Sequence, residues 1–125
     1  MGAAGNKKRF YSTESKPTVA VFGTDPYNPL PYHVVQQMLP KANIRVQTDN
    51  INEVKRQFEK RDIDVSKVEF IEGNTSNEYS VEATVYGADS VVNLERLYIE
   101  GERSYLDVYV DGPKHIGTMA DKYSV

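Results

Sequence analysis

The sequence predicts an α+β fold: a three- to four-stranded antiparallel meander covered by one main helix, with an N-terminal strand and a Pro-rich arm ahead of it. Three observations carry this expectation. Ile51, Val54 and Phe58 recur at helical spacing. Tyr79, Val81, Ala83 and Val85 alternate with Ser80, Glu82 and Thr84, and Leu106, Val108 and Val110 alternate with Tyr105, Asp107 and Tyr109, as half-buried strands do. Turn-forming residues punctuate these runs at Gly73–Asn77, Gly87–Asp89 and Asp111–Pro113.

Taken in order, Thr18-Val19-Ala20-Val21-Phe22 is a short apolar run ending at Gly23 and reads as a buried strand. Pro26, Pro29 and Pro31 follow within six residues, which removes amide donors and predicts an ordered loop or an extended arm. Val34, Val35, Met38 and Leu39 share one stripe of a short helix over 32–39, stopped by Pro40. Residues 42–47 alternate around Ile44 and Val46 and read as a strand. Asn50 and Glu53 have capping-box spacing, and Lys60 and Arg61 suit a helix C-terminus, so 51–61 is a helix. Residues 68–71, 79–85, 91–99 and 105–110 read as strands, and 116–119 as a last short one. The chain divides accordingly into a basic tail or presequence at 1–16, a strand, arm and short helix at 17–50, an α+β domain at 51–120 and a tail at 121–125.

Composition narrows the function classes. An apolar fraction of 39% and a charged fraction of 26% suit a folded globular chain. No run approaches the ~20 apolar residues of a membrane span, although peripheral association remains compatible. The absence of cysteine excludes a thiol nucleophile, a disulfide scaffold and a cysteine zinc site. A net charge of -3 gives no drive toward nucleic acid. Lys55, Arg56, Lys60 and Arg61 are interleaved with Glu53, Glu59 and Asp62 and read as a solvated helix face.

Candidate chemistry is sparse. Gly23-Thr24-Asp25 follows a strand as a phosphate loop would, but neither Gly-x-Gly-x-x-Gly nor Gly-Lys-Ser/Thr is present. His33 and His115, the two histidines, show no metal-ligand spacing with the acids, and no nucleophile-elbow pattern is present. The expectation is therefore no catalytic, cofactor-binding or metal-binding residue, and no enzyme. Tyrosines are abundant. Glu82, Tyr86, Tyr105 and Tyr109 are placed on the open face of the meander, where they either stabilise the sheet or dock a partner. Tyr27, Pro29 and Pro31 on the arm, with Tyr105 and Tyr109, are the candidate partner-binding residues.

The N-terminus carries an address. Residues 1–16 hold four basic side chains and one acid, against eleven basic and seventeen acidic in the remainder. A basic start on an acidic body is the composition of an organelle transit segment. Arg9-Phe10-Tyr11-Ser12 resembles the cleavage motif of mitochondrial presequences, which implies processing between Tyr11 and Ser12 with Arg9 as the recognised base. A plain basic tail is the competing reading. Met1-Gly2 also begins like a myristoylation signal, but Asn6 stands where Ser or Thr is expected.

From helix 51–61 through Gly112, Ala83-x-Val85-x-Gly87 and Val108-Tyr109-Val110-Asp111-Gly112 resemble the small domain shared by the mitochondrial translocase subunit Tim-twenty-one and the cytochrome oxidase assembly factor Coa-one. That resemblance implies a binding role beside inner-membrane complexes. The functional expectation is a non-catalytic accessory or assembly subunit of a mitochondrial inner-membrane respiratory-chain or import complex. It would act by protein–protein binding with no cofactor, in the matrix or associated with the inner membrane. The alternative is a small soluble α/β ligand-binding or enzymatic domain using the turn after strand 18–22.

Overall fold

The computed structural model describes residues 16–98 and 100–125. Strand β1 (Thr18–Phe22) leads into helix α1 (Leu30–Met38), strand β2 (Asn43–Thr48), helix α2 (Ile51–Lys60) and strand β3 (Val68–Glu72). Helix α3 (Glu78–Val85), strand β4 (Ser90–Asn93), a wide helical turn (Asp107–Asp111) and helix α4 (Gly112–Lys122) complete the chain. The four strands form one sheet in the order β3-β2-β1-β4. Every pairing is parallel: Thr18 to Phe22 lie beside Asn43 to Gln47, Val19 to Phe22 beside Ser90 to Asn93, and Ile44 to Thr48 beside Val68 to Glu72. Asp89 ties β4 to the start of β1, since its N–H donates to the Thr18 carbonyl at 2.8 Å and its carboxylate accepts from the Thr18 N–H at 2.8 Å.

A strand buried on both faces explains the apolar run at 18–22. Val19 and Val21 face a layer holding Tyr32, Val35, Val54 and Phe58 from α1 and α2. Ala20 and Phe22 face Val81, Val85, Ala88 and Ile116, from α3, the turn after it and α4. The sheet is thus sandwiched between helices, and the chain changes side after β3 by crossing from one sheet edge to the other. Among the described residues, no helix is long and apolar enough to cross a membrane.

This architecture corrects the expected antiparallel meander. β1, α1, β2, α2 and β3 fall close to where periodicity put them, but 79–85 is helix α3, and 105–110 and 116–119 lie in the turn before α4 and in α4 itself. Alternation misled because α3 packs with Ser80, Val81, Thr84 and Val85 inward, a helical i, i+1, i+4, i+5 stripe made of residues that also suit strands. Asn77 starts this helix, its side-chain oxygen accepting from the Tyr79 and Ser80 N–H groups at 2.9 and 3.1 Å. Glu82, Tyr86, Tyr105 and Tyr109 therefore lie on helices and turns rather than on a sheet face. Tyr86 stacks edge-on against Tyr123 of the α4 end, and Tyr105 lies parallel to Tyr109 at 6.3 Å.

The Pro-rich arm is likewise not extended. Asp25 folds it back, and Pro29 and Pro31 flank the first residue of α1, where a proline ring fits the helical φ and costs no intrahelical bond.

Candidate functional site at the strand ends

A cleft of about 130 Å³ opens over the C-terminal ends of the strands. This is where parallel sheets with helices on both faces place ligands, because strand order reverses there and the loops part. Here β1 and β4 are the neighbours whose outgoing loops separate. Gly23, Thr24 and Asp25 form the β1 wall, Thr48 and Asp49 the β2 wall, and Glu95 and Arg96 the β4 wall.

Gly23 fixes the floor. Its φ is +96°, and a Cβ there would collide with the Leu94 and Glu95 backbone, so only glycine lets the two loops meet. Beyond it, three backbone donors of the β1–α1 loop are already used. Asp25 Oδ1 accepts from the Tyr27 and Asn28 N–H groups at 2.7 and 2.8 Å, and Asn28 Oδ1 from the Leu30 N–H at 3.1 Å. Pro26, Pro29 and Pro31 have no N–H to offer. Two polar atoms in this loop are buried without a partner: the Thr24 hydroxyl and the Asn28 side-chain nitrogen.

Tyr32, the first aromatic of α1, is 1% exposed and donates its hydroxyl to the Asp25 carbonyl at 2.7 Å. Burial, and then the nearby Asp25 charge, push its phenol up from the ordinary value to about 12, against the opposing pull of Arg61.

At the end of β2, Thr48 Oγ1 accepts from the Asn50 N–H at 3.1 Å. Asp49 is exposed on the cleft and its carboxylate makes no hydrogen bond or ion pair among the described residues. The β4 wall is braced from outside. Arg103 Nη1 donates to Glu95 Oε2 at 2.7 Å, its Nη2 to Thr75 Oγ1 at 2.7 Å and its Nε to Ser76 Oγ at 3.0 Å. The Thr75 hydroxyl also bonds Glu95. With Glu95 and Arg103 side chains 10% and 20% exposed, this is a half-buried, hydrogen-bonded ion pair, which holds geometry more than it adds stability.

The sequence-predicted residues are scattered rather than gathered. Tyr27 is 83% exposed beside the cleft, Pro29 is exposed and Pro31 is buried under the first turn of α1. Tyr105 and Tyr109 sit on the far side of the braced loop, where the Tyr109 hydroxyl accepts from the Leu97 N–H at 2.9 Å. Arg9, Tyr11 and Ser12 lie outside the described residues. Among the described residues no cluster of His, Asp and Glu could hold a metal ion. His33 is exposed on α1, and His115 Nδ1 lies 2.6 Å from the Thr75 carbonyl.

Gly23, Thr24 and Asp25 were singled out as a strand-end turn, whereas Asp49, Glu95 and Arg103 were missed. An acid closing β2, 26 residues beyond Gly23, is a signal for Asp49 once β1 and β2 are read as parallel neighbours. Nothing local announces the Glu95–Arg103 pair.

This sheet order, with helices on both faces and a cleft at the reversal point, defines the chain as a Rossmann-like α/β fold. Solved structures agree. Pen from Bacillus thuringiensis is similar at a TM-score of 0.72 and 14% identity, over 88% of this chain and 36% of that one. Uronate dehydrogenase from Agrobacterium tumefaciens is similar at a TM-score of 0.60 and 17% identity, over 87% and 38%. A mutant of that enzyme complexed with NAD gives 0.59 and 16%, over 88% and 38%. This chain therefore spans little more than a third of the length of these neighbours. No family model matches it, and no curated protein does.

These findings correct the expectation of a non-catalytic accessory or assembly subunit, and with it that of a non-enzyme. The fold is one that a dehydrogenase shares, in place of the antiparallel domain on which the subunit reading stood.

The dinucleotide that Rossmann folds commonly bind needs free loop amides for its diphosphate. The described loop does not fit that group. The Tyr27, Asn28 and Leu30 amides are capped by Asp25 and Asn28, Pro26, Pro29 and Pro31 offer none, and the carboxylate of Asp25 stands among them.

Proposed function

We propose that this chain is a Rossmann-like ligand-binding unit that holds the ribose end of a nucleoside-type ligand over the ends of β1 and β2. The observation that carries this is Asp49: a carboxylate at the end of β2, open to the cleft and without a partner among the described residues. A carboxylate at this position accepts from vicinal hydroxyls, and two acceptor oxygens match a diol. The enclosed volume supports a single ring-sized group. Sites that engulf a whole drug-sized ligand run to about 300–1,000 Å³, against about 130 Å³ here. The remainder of the ligand would lie across the open rim. Similarity to an NAD-complexed enzyme is consistent with nucleoside recognition.

Calorimetric titration tests the reading. Adenosine should bind and 2′-deoxyadenosine should bind about tenfold more weakly. Asp49→Ala should weaken adenosine by about tenfold or more, the range for a hydrogen bond to a charged group. Equal affinity of the variant and the unmodified chain would remove Asp49 from the site.

A further inference from the structure

We infer that Asp25 makes this cleft selective for a ligand that brings no phosphate to the β1–α1 loop: a nucleoside, and not a nucleoside diphosphate. The inference rests on the nucleoside reading above and deepens it. In a Gly-x-Gly-x-x-Gly loop the first glycine makes the tight turn, the second lets the diphosphate approach the backbone, and the third packs helix on strand. Counted from Gly23, the first place is kept, the second is Asp25 and the third is Asn28.

The substitution at the second place does more than fill space. The Asp25 carboxylate takes the Tyr27 and Asn28 N–H groups that would otherwise point at an anion. A phosphate arriving there would have to displace a carboxylate already held by two short hydrogen bonds, or sit beside it at like charge.

The rest of the cleft does not compensate. Its walls carry the carboxylates of Asp25, Asp49 and Glu95 against the guanidiniums of Arg96 and Arg103. Arg103 is committed to Glu95 at 2.7 Å. Arg96 lies over the Tyr98 ring, 5.2 Å from its centre.

A second, independent observation points to a ligand with hydrogen-bonding groups. Thr24 lines the cleft, is 3% exposed, and its hydroxyl has no hydrogen-bond partner. A buried hydroxyl is completed by a donor or an acceptor, and a sugar hydroxyl or a ring nitrogen supplies one.

The test is calorimetric titration of the whole chain at low ionic strength with adenosine and with ADP. Adenosine should bind at least tenfold more tightly than ADP. Asp25→Asn keeps an acceptor oxygen for the two amides but drops the charge, and should narrow that ratio by about tenfold. ADP binding as tightly as adenosine, or more so, overturns the inference and leaves the nucleoside reading standing. Binding of neither overturns both. A ratio unmoved in a folded Asp25→Asn protein overturns the role of Asp25. Should that variant fail to fold, a salt series on the unmodified chain decides instead. Screening at 0.5 M salt should narrow the ratio, and a ratio indifferent to salt overturns the electrostatic basis.

Discussion

On one face of the sheet Tyr32, Phe58 and Phe70 pack ring against ring, with centres 5.0 and 5.8 Å apart, over Val21, Ile44 and Val46. On the other face the side chains are smaller and polar groups enter the layer. Gln47 Nε2 donates to Ser80 Oγ at 3.1 Å and to Thr84 Oγ1 at 3.2 Å, and Arg45 Nη1 caps the end of α3 through the Thr84 and Tyr86 carbonyls at 2.8 and 2.7 Å. The same four strands thus hold one pair of helices by buried apolar area and the other by area plus directed hydrogen bonds. Area tolerates sliding. Hydrogen bonds do not, so the second face fixes where α3 begins and where the Thr75 end of the cleft wall stands.

The largest expected effect breaks the aromatic face. Phe58 is fully buried between Tyr32 and Phe70, so Phe58→Ala should cost about 3–5 kcal/mol, read as a fall in the denaturant midpoint at constant slope.

The next effect also belongs to the first face and depends on pH. Tyr32 titrates at about 12 in the folded chain and at its ordinary value of 10.0 when unfolded. The unfolded state loses this proton first, so the contribution of about 3 kcal/mol is intact below pH 10 and is lost as pH rises through 12. Tyr32→Phe should flatten this part of the alkaline limb of a stability profile, and an unchanged limb would assign the loss to other groups.

The smallest effect tests the second face. Asn77→Ala removes the cap of α3 and should cost about 1 kcal/mol. Amide exchange should quicken first at Tyr79 and Ser80. Uniform quickening across both faces would mean that α3 has no separate anchorage.

The same contrast explains what could be read from the sequence. α2 is legible because Ile51, Val54 and Phe58 form an apolar stripe against charged residues, the pattern that burial by area imposes. α3 is not, because a helix that meets Gln47 with Ser80 and Thr84 carries no such contrast, and its β-branched residues imitate a strand. Once α3 and α4 are taken as strands, an antiparallel sheet is the consistent conclusion, and the parallel cleft disappears with it. Gly23 and Asp25 were visible as a strand-end turn, whereas Asp49 gains meaning only beside a parallel β1. The Glu95–Arg103–Thr75 brace joins residues 8 and 20 apart through a returning loop, and no local pattern encodes that.

The tie between Asp89 and Thr18 spans 71 residues. β1 therefore emerges early with both faces apolar and waits for most of the chain before β4 can shield its second edge. Loop closure over that distance is slow compared with the local pairing of β1, β2 and β3. Pulse-labelled exchange during refolding should protect Val21 and Val46 before Ala20 and Val92. In the interval, the unshielded edge of β1 is the segment through which two immature copies would pair with each other, so the last strand to join acts as the chain's guard against self-association.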